Sequence, residues 1–355
     1  MSAPNPLDRP TSASSPPPLE TTTFHIAGIT TTVYNLSSLP RSCPVSVLWL
    51  LHPRLQDSGT MAPIAAETLS AWTAKHGRGG RGVLAVSFDQ RNHGGRLVEA
   101  LANEAWRQGN ARHAVDMFSI YNGTAQDLSL LISYLPAYLF PTGQHRITQH
   151  LVLGVSLGGH AAWHAVLHDP RIEAAVVVVG CPDYARLMAD RARKSKLASY
   201  LASSLPGRDF FGSADFPSAL VEQVERWDPA GVLLGELDAM DGREWSREPG
   251  DDEKKRLLPL MREKLGGKRI LCLSGGKDKL VPYECGKPFM TWLKQALRKD
   301  GGWFNDGGTV LEDITDPEAG HEYSTAMRAE AVRFICDVIS GGQETTAVGG
   351  KDSKI

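Results

Sequence analysis

The sequence predicts an α/β protein in which helices cover both faces of a mostly parallel central sheet and a helical segment interrupts the sheet. Three observations carry this prediction. The chain has 355 residues, enough to bury a large core. Short runs rich in Val and Leu alternate with segments of helical periodicity, as in proteins that connect parallel strands through helices. This alternation stops over residues 181–266, where helical patches predominate.

The predicted elements begin with two Thr-rich segments, TTTFHIAG and TTTVYNL, which are typical of an antiparallel hairpin. Apolar runs then predict the buried strands of the sheet: VSVLWLL, GVLAVSF (82–88), HLVLGV (150–155), EAAVVVVG (173–180), RILCLSG (269–275) and GTVLEDIT (308–315). Helical patterns predict helices over residues 61–76, 127–140, 157–168 and 324–339. Pro136 is expected to kink or end the second of these helices.

Composition divides the chain into four parts. Residues 21–180 and 267–340 are predicted to form the α/β core, and residues 181–266 a helical cap or lid. Residues 1–20 are rich in Pro and Ser, and residues 341–355 are polar and Gly-rich, so both ends are expected to be disordered. Within the cap, the charge run REPGDDEKKR is expected to form a solvated loop.

Charge and cysteine content exclude several classes of protein. The formal net charge is −2 and no basic stripe stands out, so nucleic acid is not an expected partner. The five cysteines form no C-x-x-C pair, which argues against a disulfide framework or a zinc site. No run is long and apolar enough to span a membrane, and residues 1–20 lack the apolar stretch of a secretory signal. A cytoplasmic location is therefore expected, and the oligomeric state stays open.

One motif carries chemistry. Gly154-Val155-Ser156-Leu157-Gly158 matches G-x-S-x-G between a predicted strand and a predicted helix. A very tight strand-to-helix corner points its central side chain outward, and glycine two positions either side avoids a collision. Ser156 would then lie at the carboxyl edge of the sheet, where open α/β folds bind ligands. The alternative is an ordinary serine at a helix N-terminus.

This context resembles the α/β-hydrolase superfamily, in the serine esterase or acyl-hydrolase form that carries a cap insertion. By element order the resemblance covers about residues 45–340. It implies a serine nucleophile, then an acid, then a histidine along the chain. His321 is the only histidine in the sequence after the helix that follows Ser156. It lies in the polar loop DPEAGHEYS, where the family's base is expected. Otherwise His321 would be a histidine of a surface loop.

Two aspartates are candidates for the acid. Asp278 follows the strand RILCLSG, which is the position that the resemblance favours. Asp183 follows the preceding strand, where some relatives carry their acid, and it is the second choice. Asp278 could also be a turn residue among Gly and Lys.

The resemblance also implies an oxyanion hole of two backbone N–H groups. One is that of Leu157, directly after the nucleophile. The other should come from the loop LLHPRLQDSG, where many relatives have His-Gly but this chain has His52-Pro53. Proline has no N–H, so the second donor is expected to be Arg54 or, as second choice, Leu55. Alternatively, the Arg54 guanidinium could hold a carboxylate of the substrate.

Pocket residues are harder to predict. Pro53 and Leu55 lie in the loop just described, and Tyr184, Met188 and Trp227 in the insertion are candidates to line an acyl pocket. Apolar residues at helical spacing are, however, more often plain core.

The sequence thus predicts a serine hydrolase that cleaves an ester-like acyl bond of a small-molecule substrate. His321 would act as general base on Ser156, Asp278 would orient His321, and an acyl-enzyme would form. A thioesterase, peptidase or acyltransferase would use the same residues. A non-catalytic receptor or binding protein with this fold is the alternative from another class. The sequence has no H-E-x-x-H and no Walker A motif, so no metal or other cofactor is expected.

Overall fold

The structure is a computed structural model that describes residues 5–8, 19–77, 80–202, 207–235, 249–304 and 308–341. Within these residues, eight strands form one sheet: β1 (Thr21–Ile26), β2 (Ile29–Tyr34), β3 (Pro44–Leu51), β4 (Gly82–Phe88), β5 (Arg146–Val155), β6 (Ile172–Val178), β7 (Arg269–Gly275) and β8 (Val310–Asp316). Their order across the sheet is β1-β2-β4-β3-β5-β6-β7-β8.

The same residues contain the following α-helices: α1 (Ala62–His76), α2 (His113–Leu139), α3 (Leu157–His168), α4 (Tyr184–Ser195), α5 (Ala198–Leu201), α6 (Ser218–Trp227), α7 (Pro229–Leu234), α8 (Asp251–Leu265), α9 (Tyr283–Ala296) and α10 (Thr325–Ile339). Short 3-10 turns lie at Ser58–Met61, Gly94–Arg96, Ala100–Asn103 and Trp106–Gln108.

The sheet is parallel from β4 to β8, and the β1–β2 hairpin joins its edge in antiparallel register. Helices α1 and α10 cover one face and enclose one hydrophobic core, while α2, α3 and α9 enclose a second core on the other face. These findings confirm the predicted fold class. Because the strands β3 to β8 run parallel, their carboxyl ends meet at one edge, where polar side chains from distant parts of the chain can converge.

Helix α2 is much longer than predicted. It begins at His113 rather than near residue 127, and it continues past Pro136 to Leu139. Gly123 is inside this helix, and a Cβ there would overlap the Arg91 side chain, so the glycine serves a tertiary contact and does not break the helix. Pro136 lies in the last turn, so the helix lacks the hydrogen bond that an N–H at this position would donate to the Ile132 carbonyl, and it ends three residues later. Helix α9 was not predicted at all.

The described part of the 181–266 segment contains helices α4 to α8. The prediction of a solvated loop for REPGDDEKKR is wrong for residues 251–256, which form the first turns of α8. Three acidic residues begin that helix, and the Glu253 carboxylate accepts a hydrogen bond from the Gly250 N–H at 2.9 Å. Negative charge at a helix N-terminus is favourable, which explains why a charged run is helical here. Arg247 and Glu248 lie outside the described residues.

The N-terminal arm also differs from the expectation. Residues 5–8 are not disordered: the Tyr323 N–H donates a hydrogen bond to the Pro6 carbonyl at 2.8 Å, and Leu7 packs against the core under α1 and α10. The rest of the arm up to residue 18, and residues 342–355 of the tail, lie outside the described residues. The expectation of disorder there stays a prediction.

Candidate active site

Ser156 lies at the corner between β5 and α3. Its φ of 56° and ψ of −111° are unusual for a residue with a side chain. The Ser156 N–H donates a hydrogen bond to the Val178 carbonyl at 2.9 Å, which fastens the corner to the end of the neighbouring strand β6. The strained backbone is therefore held by the sheet, and it presents the serine side chain at the carboxyl edge of the strands.

The two glycines of the motif are required by close packing. A Cβ on Gly154 would overlap the Gly158 carbonyl, and a Cβ on Gly158 would overlap the Leu51 carbonyl at the end of β3. Both obstacles are backbone atoms that cannot rotate away. The bulk is missing around Ser156 because helix, strand and the loop after β3 approach each other at this point.

Ser156, His321 and Asp278 form a continuous hydrogen-bonded series. The Ser156 Oγ lies 2.9 Å from the His321 Nε2, and the His321 Nδ1 lies 2.8 Å from the Asp278 Oδ2. The other carboxylate oxygen of Asp278 accepts hydrogen bonds from the N–H groups of Leu280 at 2.8 Å and Val281 at 2.9 Å. We refer to these three side chains as the Ser-His-Asp series.

The surroundings of Asp278 indicate how protons are arranged in this series. An ionised carboxylate only accepts hydrogen bonds, so the His321 Nδ1 is the donor to Asp278. In that tautomer the lone pair of the imidazole lies on Nε2, which faces the Ser156 hydroxyl. The side chain of Asp278 is fully buried and that of His321 is 6 % exposed, so bulk water does not compete for this contact.

The loops that carry the acid and the histidine are joined to each other. The Gly276 N–H donates to the Asp316 carbonyl at 2.8 Å, and the Lys277 N–H donates to the Ala319 carbonyl at 2.9 Å. The donors directly precede Asp278 in the chain, and the acceptors lie shortly before His321. The distance between the two side chains is therefore fixed by backbone contacts and not by their own hydrogen bond alone.

A second histidine touches the nucleophile corner. The His160 Nδ1 donates a hydrogen bond to the Ser156 carbonyl at 2.8 Å, and burial lowers the pKa of His160 to about 3. His160 is neutral at pH 7 and contacts the backbone of Ser156, whereas His321 contacts its hydroxyl. His160 therefore stabilises the backbone of the corner and does not contact the hydroxyl that a base would have to deprotonate.

The second-choice acid, Asp183, is engaged elsewhere. It caps α4 by accepting a hydrogen bond from the Arg186 N–H at 3.0 Å, and it lies 3.1 Å from the Arg186 Nε. Burial raises the pKa of Asp183 to about 6. The structure brings Asp278, and not Asp183, to His321.

The loop after β3 is rigid where the second oxyanion donor is expected. The Gln90 N–H donates to the His52 Nε2 at 2.9 Å, and the Gln90 side chain donates to the His52 carbonyl. The His52 Nδ1 donates to the Pro53 carbonyl at 2.8 Å, and burial lowers the pKa of His52 to about 4. No pattern in the sequence indicates the contact between Gln90 and this loop.

The N–H groups of the two predicted oxyanion donors are not used by the fold. Across the described ranges, neither the Arg54 N–H nor the Leu157 N–H donates a hydrogen bond to a protein atom. The Leu157 N–H is one of the free donors at the start of α3. The role of these two N–H groups as oxyanion donors stays a prediction.

Four of the five predicted pocket residues fall into two groups. Leu55 lines a cavity that the residues directly after Asp278 also line, and Pro53 is buried. Tyr184 and Met188 are fully buried, and the Tyr184 hydroxyl donates to the Ala114 carbonyl at 2.6 Å, so both belong to the hydrophobic core.

Trp227 belongs to neither group. It packs on His168, with ring centroids 4.6 Å apart, at the far end of α3 from Ser156. Helix α3 has 12 residues and is about 18 Å long, so Trp227 is too distant to touch a short acyl group on Ser156. We leave Trp227 out of the proposed site.

A parallel sheet with a strained serine at a strand-to-helix corner, facing a histidine from the loop after the last strand, defines a protein of the α/β-hydrolase class. The chain belongs to the alpha/beta hydrolase family, whose model matches residues 59–333. This membership supports hydrolytic chemistry.

Two solved structures are similar in fold. TT1662 from Thermus thermophilus is 15% identical, with a TM-score of 0.51 over 89% of this chain and 96% of that chain. The acylaminoacyl peptidase of Pyrococcus horikoshii is 12% identical, with a TM-score of 0.51 over 94% of this chain and 43% of that chain. This chain therefore spans less than half of that peptidase. No curated protein sequence matches this chain. No helix in the described part is long and apolar enough to cross a membrane.

Proposed function

We propose that this protein is a serine hydrolase that cleaves an ester-like acyl bond through Ser156, His321 and Asp278. The observation that carries the proposal is the series of hydrogen bonds at 2.9 Å and 2.8 Å that joins a strained serine to a buried carboxylate through one imidazole. A serine hydroxyl is a poor nucleophile at neutral pH unless an adjacent base accepts its proton. His321 is such a base, and Asp278 sets its tautomer.

In the first half of the reaction, the Ser156 Oγ attacks the carbonyl carbon of the substrate while its proton moves to the His321 Nε2. The negative charge on the carbonyl oxygen is stabilised by the N–H groups of Leu157 and Arg54. Asp278 stabilises the imidazolium that forms. The bond to the leaving alcohol then breaks, and the alcohol takes its proton from the His321 Nε2, which leaves an acyl group on Ser156.

In the second half, water attacks the acyl-enzyme and gives one proton to the His321 Nε2. The same oxyanion donors stabilise the second tetrahedral intermediate. Its collapse releases the carboxylic acid and returns the proton to Ser156. A thioester, an amide or an acceptor alcohol in place of water would follow the same steps, so substrate assays have to separate these chemistries.

The competing proposal is a non-catalytic receptor or binding protein with the same fold. The contact of 2.9 Å between the Ser156 Oγ and the His321 Nε2 favours an enzyme, because a base at this position activates the hydroxyl and a binding site gains nothing from that. All five cysteines are buried free thiols, which fits the cytoplasmic, reducing location that we propose. Cell fractionation tests the location.

Labelling with a fluorophosphonate probe tests the proposed function before any substrate is known. The probe should react with the wild-type protein, and Ser156→Ala should keep the far-UV circular dichroism and lose both labelling and esterase turnover. Ser119→Ala, a substitution of a partly exposed serine on α2, is the matched control and should label normally. Normal labelling of Ser156→Ala, or no labelling of the wild type, would overturn the proposal.

A further inference from the structure

A cavity of about 210 Å³ is lined by the loop after β3 and by the residues that directly follow Asp278. Ser156, His321 and Asp278 do not line it themselves, but the charge of Asp278 acts on Arg191 in its wall. The loop after β3 lines it with Arg54 and Leu55, and the loop after Asp278 lines it with Lys279 and Leu280. Helix α4 and the segment 104–108 form the remaining walls. The cavity therefore touches both the loop of the proposed oxyanion donor and the loop of the proposed acid.

The lining of this cavity is strongly cationic. Five basic side chains face one carboxylate, that of Glu104. The basic residues are Arg54, Arg107, Arg191, Lys194 and Lys279. Lys194 forms an ion pair with Asp190 at 2.6 Å, but for the other four no ion pair to a carboxylate occurs in the described ranges. The lining thus carries more positive charge than Glu104 and Asp190 together neutralise.

Arg191 is held so that part of its guanidinium stays free. Its Nη1 donates to the His113 Nε2 at 3.1 Å and to the Met117 Sδ at 3.0 Å, and its Nη2 donates to the Leu280 carbonyl at 3.3 Å. A guanidinium has five N–H donors, so two remain. The Nε is one of them: it is shielded from solvent and has no acceptor among the described residues.

His113 is suited to hold a cation in this way. Its Nδ1 donates to the Glu104 carbonyl at 2.9 Å, which leaves the lone pair of Nε2 for Arg191. Burial, with the positive charges of Arg191 and Arg54, lowers the pKa of His113 well below its usual range. His113 is therefore a neutral acceptor that positions Arg191 without cancelling its charge.

Arg54 is the second guanidinium in the cavity. Its Nη1 donates to the Asn103 carbonyl at 2.9 Å, and this carbonyl is neutral. Burial, together with the nearby charge of Arg191, lowers the pKa of Arg54 to about 10. Two like charges in a partly desolvated cavity are costly unless an anion joins them.

We propose that this cavity binds an anionic group of the substrate, a carboxylate or a phosphate, through Arg54 and Arg191. The planar forks of arginine fit either anion, and Lys279 at the rim adds attraction. This inference rests on the proposed function, since it names the class of ester that the Ser-His-Asp series would cleave. The Leu280 carbonyl contacts Arg191, while the Leu280 N–H contacts Asp278, so the anion site and the acid share one loop.

Paired substrates test the inference. The 4-nitrophenyl half-ester of glutaric acid carries a carboxylate on the acyl side, and 4-nitrophenyl valerate is its neutral counterpart. The acetyl esters of 4-hydroxybenzoate and 4-hydroxybenzamide form the same comparison on the leaving-group side. One of the two pairs should show a kcat/KM ratio of roughly 10 to 100 in favour of the anion, as expected for charge-assisted hydrogen bonds. Competitive inhibition by glutarate or by inorganic phosphate distinguishes a carboxylate site from a phosphate site.

Variants locate the effect. Arg191→Gln and Lys279→Ala should each lower the ratio of anionic to neutral kcat/KM, Arg191→Gln by roughly 10-fold or more. A lower fraction of folded enzyme reduces the apparent kcat/KM for both substrates equally, so it leaves this ratio unchanged. Arg193→Ala is the matched control, because Arg193 lies on the same helix, is exposed and does not line the cavity. Its ratio should equal that of the wild type.

Two outcomes separate this inference from the proposed function. If Ser156 is labelled and neutral esters are hydrolysed, but no anionic ester is preferred and neither anion inhibits, the inference is wrong while the proposed function stands. An anion preference that Arg191→Gln and Lys279→Ala leave unchanged would also overturn it. If Ser156 is not labelled at all, the proposed function itself fails.

Discussion

Ser156 occupies a backbone conformation that glycine adopts more readily than any other residue, yet the chain has a serine there. The cost of such a conformation is about 1–3 kcal/mol. It is offset by the hydrogen bond from the Ser156 N–H to the end of β6 and by the close contacts of the flanking glycines. The proposed need for the Ser156 hydroxyl explains why this position has a serine and not a glycine.

The role of the carboxylate is tested at Asp278. Asp278→Asn keeps the size of the side chain but removes the charge that fixes the His321 tautomer, so kcat should fall on the order of 10⁴-fold. Asp183→Asn should lower kcat far less, because Asp183 caps α4 and does not contact His321. Steady-state kinetics on a neutral aryl ester measure both. A larger loss for Asp183→Asn would assign the acid to the end of β6.

The oxyanion hole is tested at Arg54 by changing the backbone and the side chain separately. Arg54→Pro removes the N–H and should lower kcat for a neutral ester by roughly 10²- to 10³-fold. Arg54→Ala keeps the N–H and should lower it much less. Since consecutive prolines restrict residue 53, circular dichroism must first show that the proline variant is folded. A folded and fully active Arg54→Pro would move the donor to Leu55.

Residues of the site differ in how far sequence can predict them. Ser156 stands in a local pattern that sterics dictate, and His321 is the only histidine after the helix that follows Ser156. Arg191 has no such pattern, because its contacts with His113 and Leu280 cross 78 and 89 residues of sequence. Gln90 is unpredictable for the same reason, since only the fold brings it to His52.

At the scale of elements, the approach of α3 to β3 and β5 limits what the nucleophile motif can contain. Gly154→Ala and Gly158→Ala each insert a methyl group into backbone atoms and should lower the free energy of unfolding by about 1–3 kcal/mol. Gly320→Ala is the control, because a Cβ there meets nothing within 4 Å. Urea denaturation measures all three. Equal stabilities would show that the corner has room to relax.

The element predictions succeeded where burial alone sets the pattern and were wrong where a tertiary contact decides. Helix α3 and strand β7 match the predicted bounds because their apolar runs are buried on every side. The predicted start of α2 near residue 127 is too late, since Gly123 receives the Arg91 side chain, a contact that no local rule contains. The first turns of α8 look like loop by charge, but acidic residues suit a helix N-terminus.

At the scale of the whole molecule, buried histidines couple stability to pH. Burial lowers the pKa of His52 and His150 to about 4 and that of His160 to about 3, against 6.5 for an unperturbed histidine. The unfolded chain therefore binds more protons than the folded one between pH 6.5 and 4, and stability is lost as pH falls through this window. Burial raises the pKa of Asp183 and Asp228, which opposes the effect in part.

We expect the free energy of unfolding to fall on the order of 3 kcal/mol between pH 7.5 and pH 5, because the histidines outweigh the carboxylates. Urea denaturation at a series of pH values measures it. His150→Gln should flatten the curve, since it removes one of the groups that titrate only after unfolding. A free energy that does not change, or that rises toward pH 5, would contradict this assignment.

The hydrogen bond from the Ser156 N–H to the Val178 carbonyl has a consequence for heat inactivation. It is followed by the bond from the Val179 N–H to the Leu273 carbonyl and by that from the Gly276 N–H to the Asp316 carbonyl. These three hydrogen bonds thus connect the carboxyl ends of four neighbouring strands, β5, β6, β7 and β8, including the corner at Ser156 and the loop that carries Asp278. We therefore expect deuterium to replace the Ser156 amide proton only when these strands separate, which hydrogen–deuterium exchange measures. On heating, turnover should then be lost at the same temperature at which the sheet unfolds. The corner at Ser156 should not unfold separately at a lower temperature.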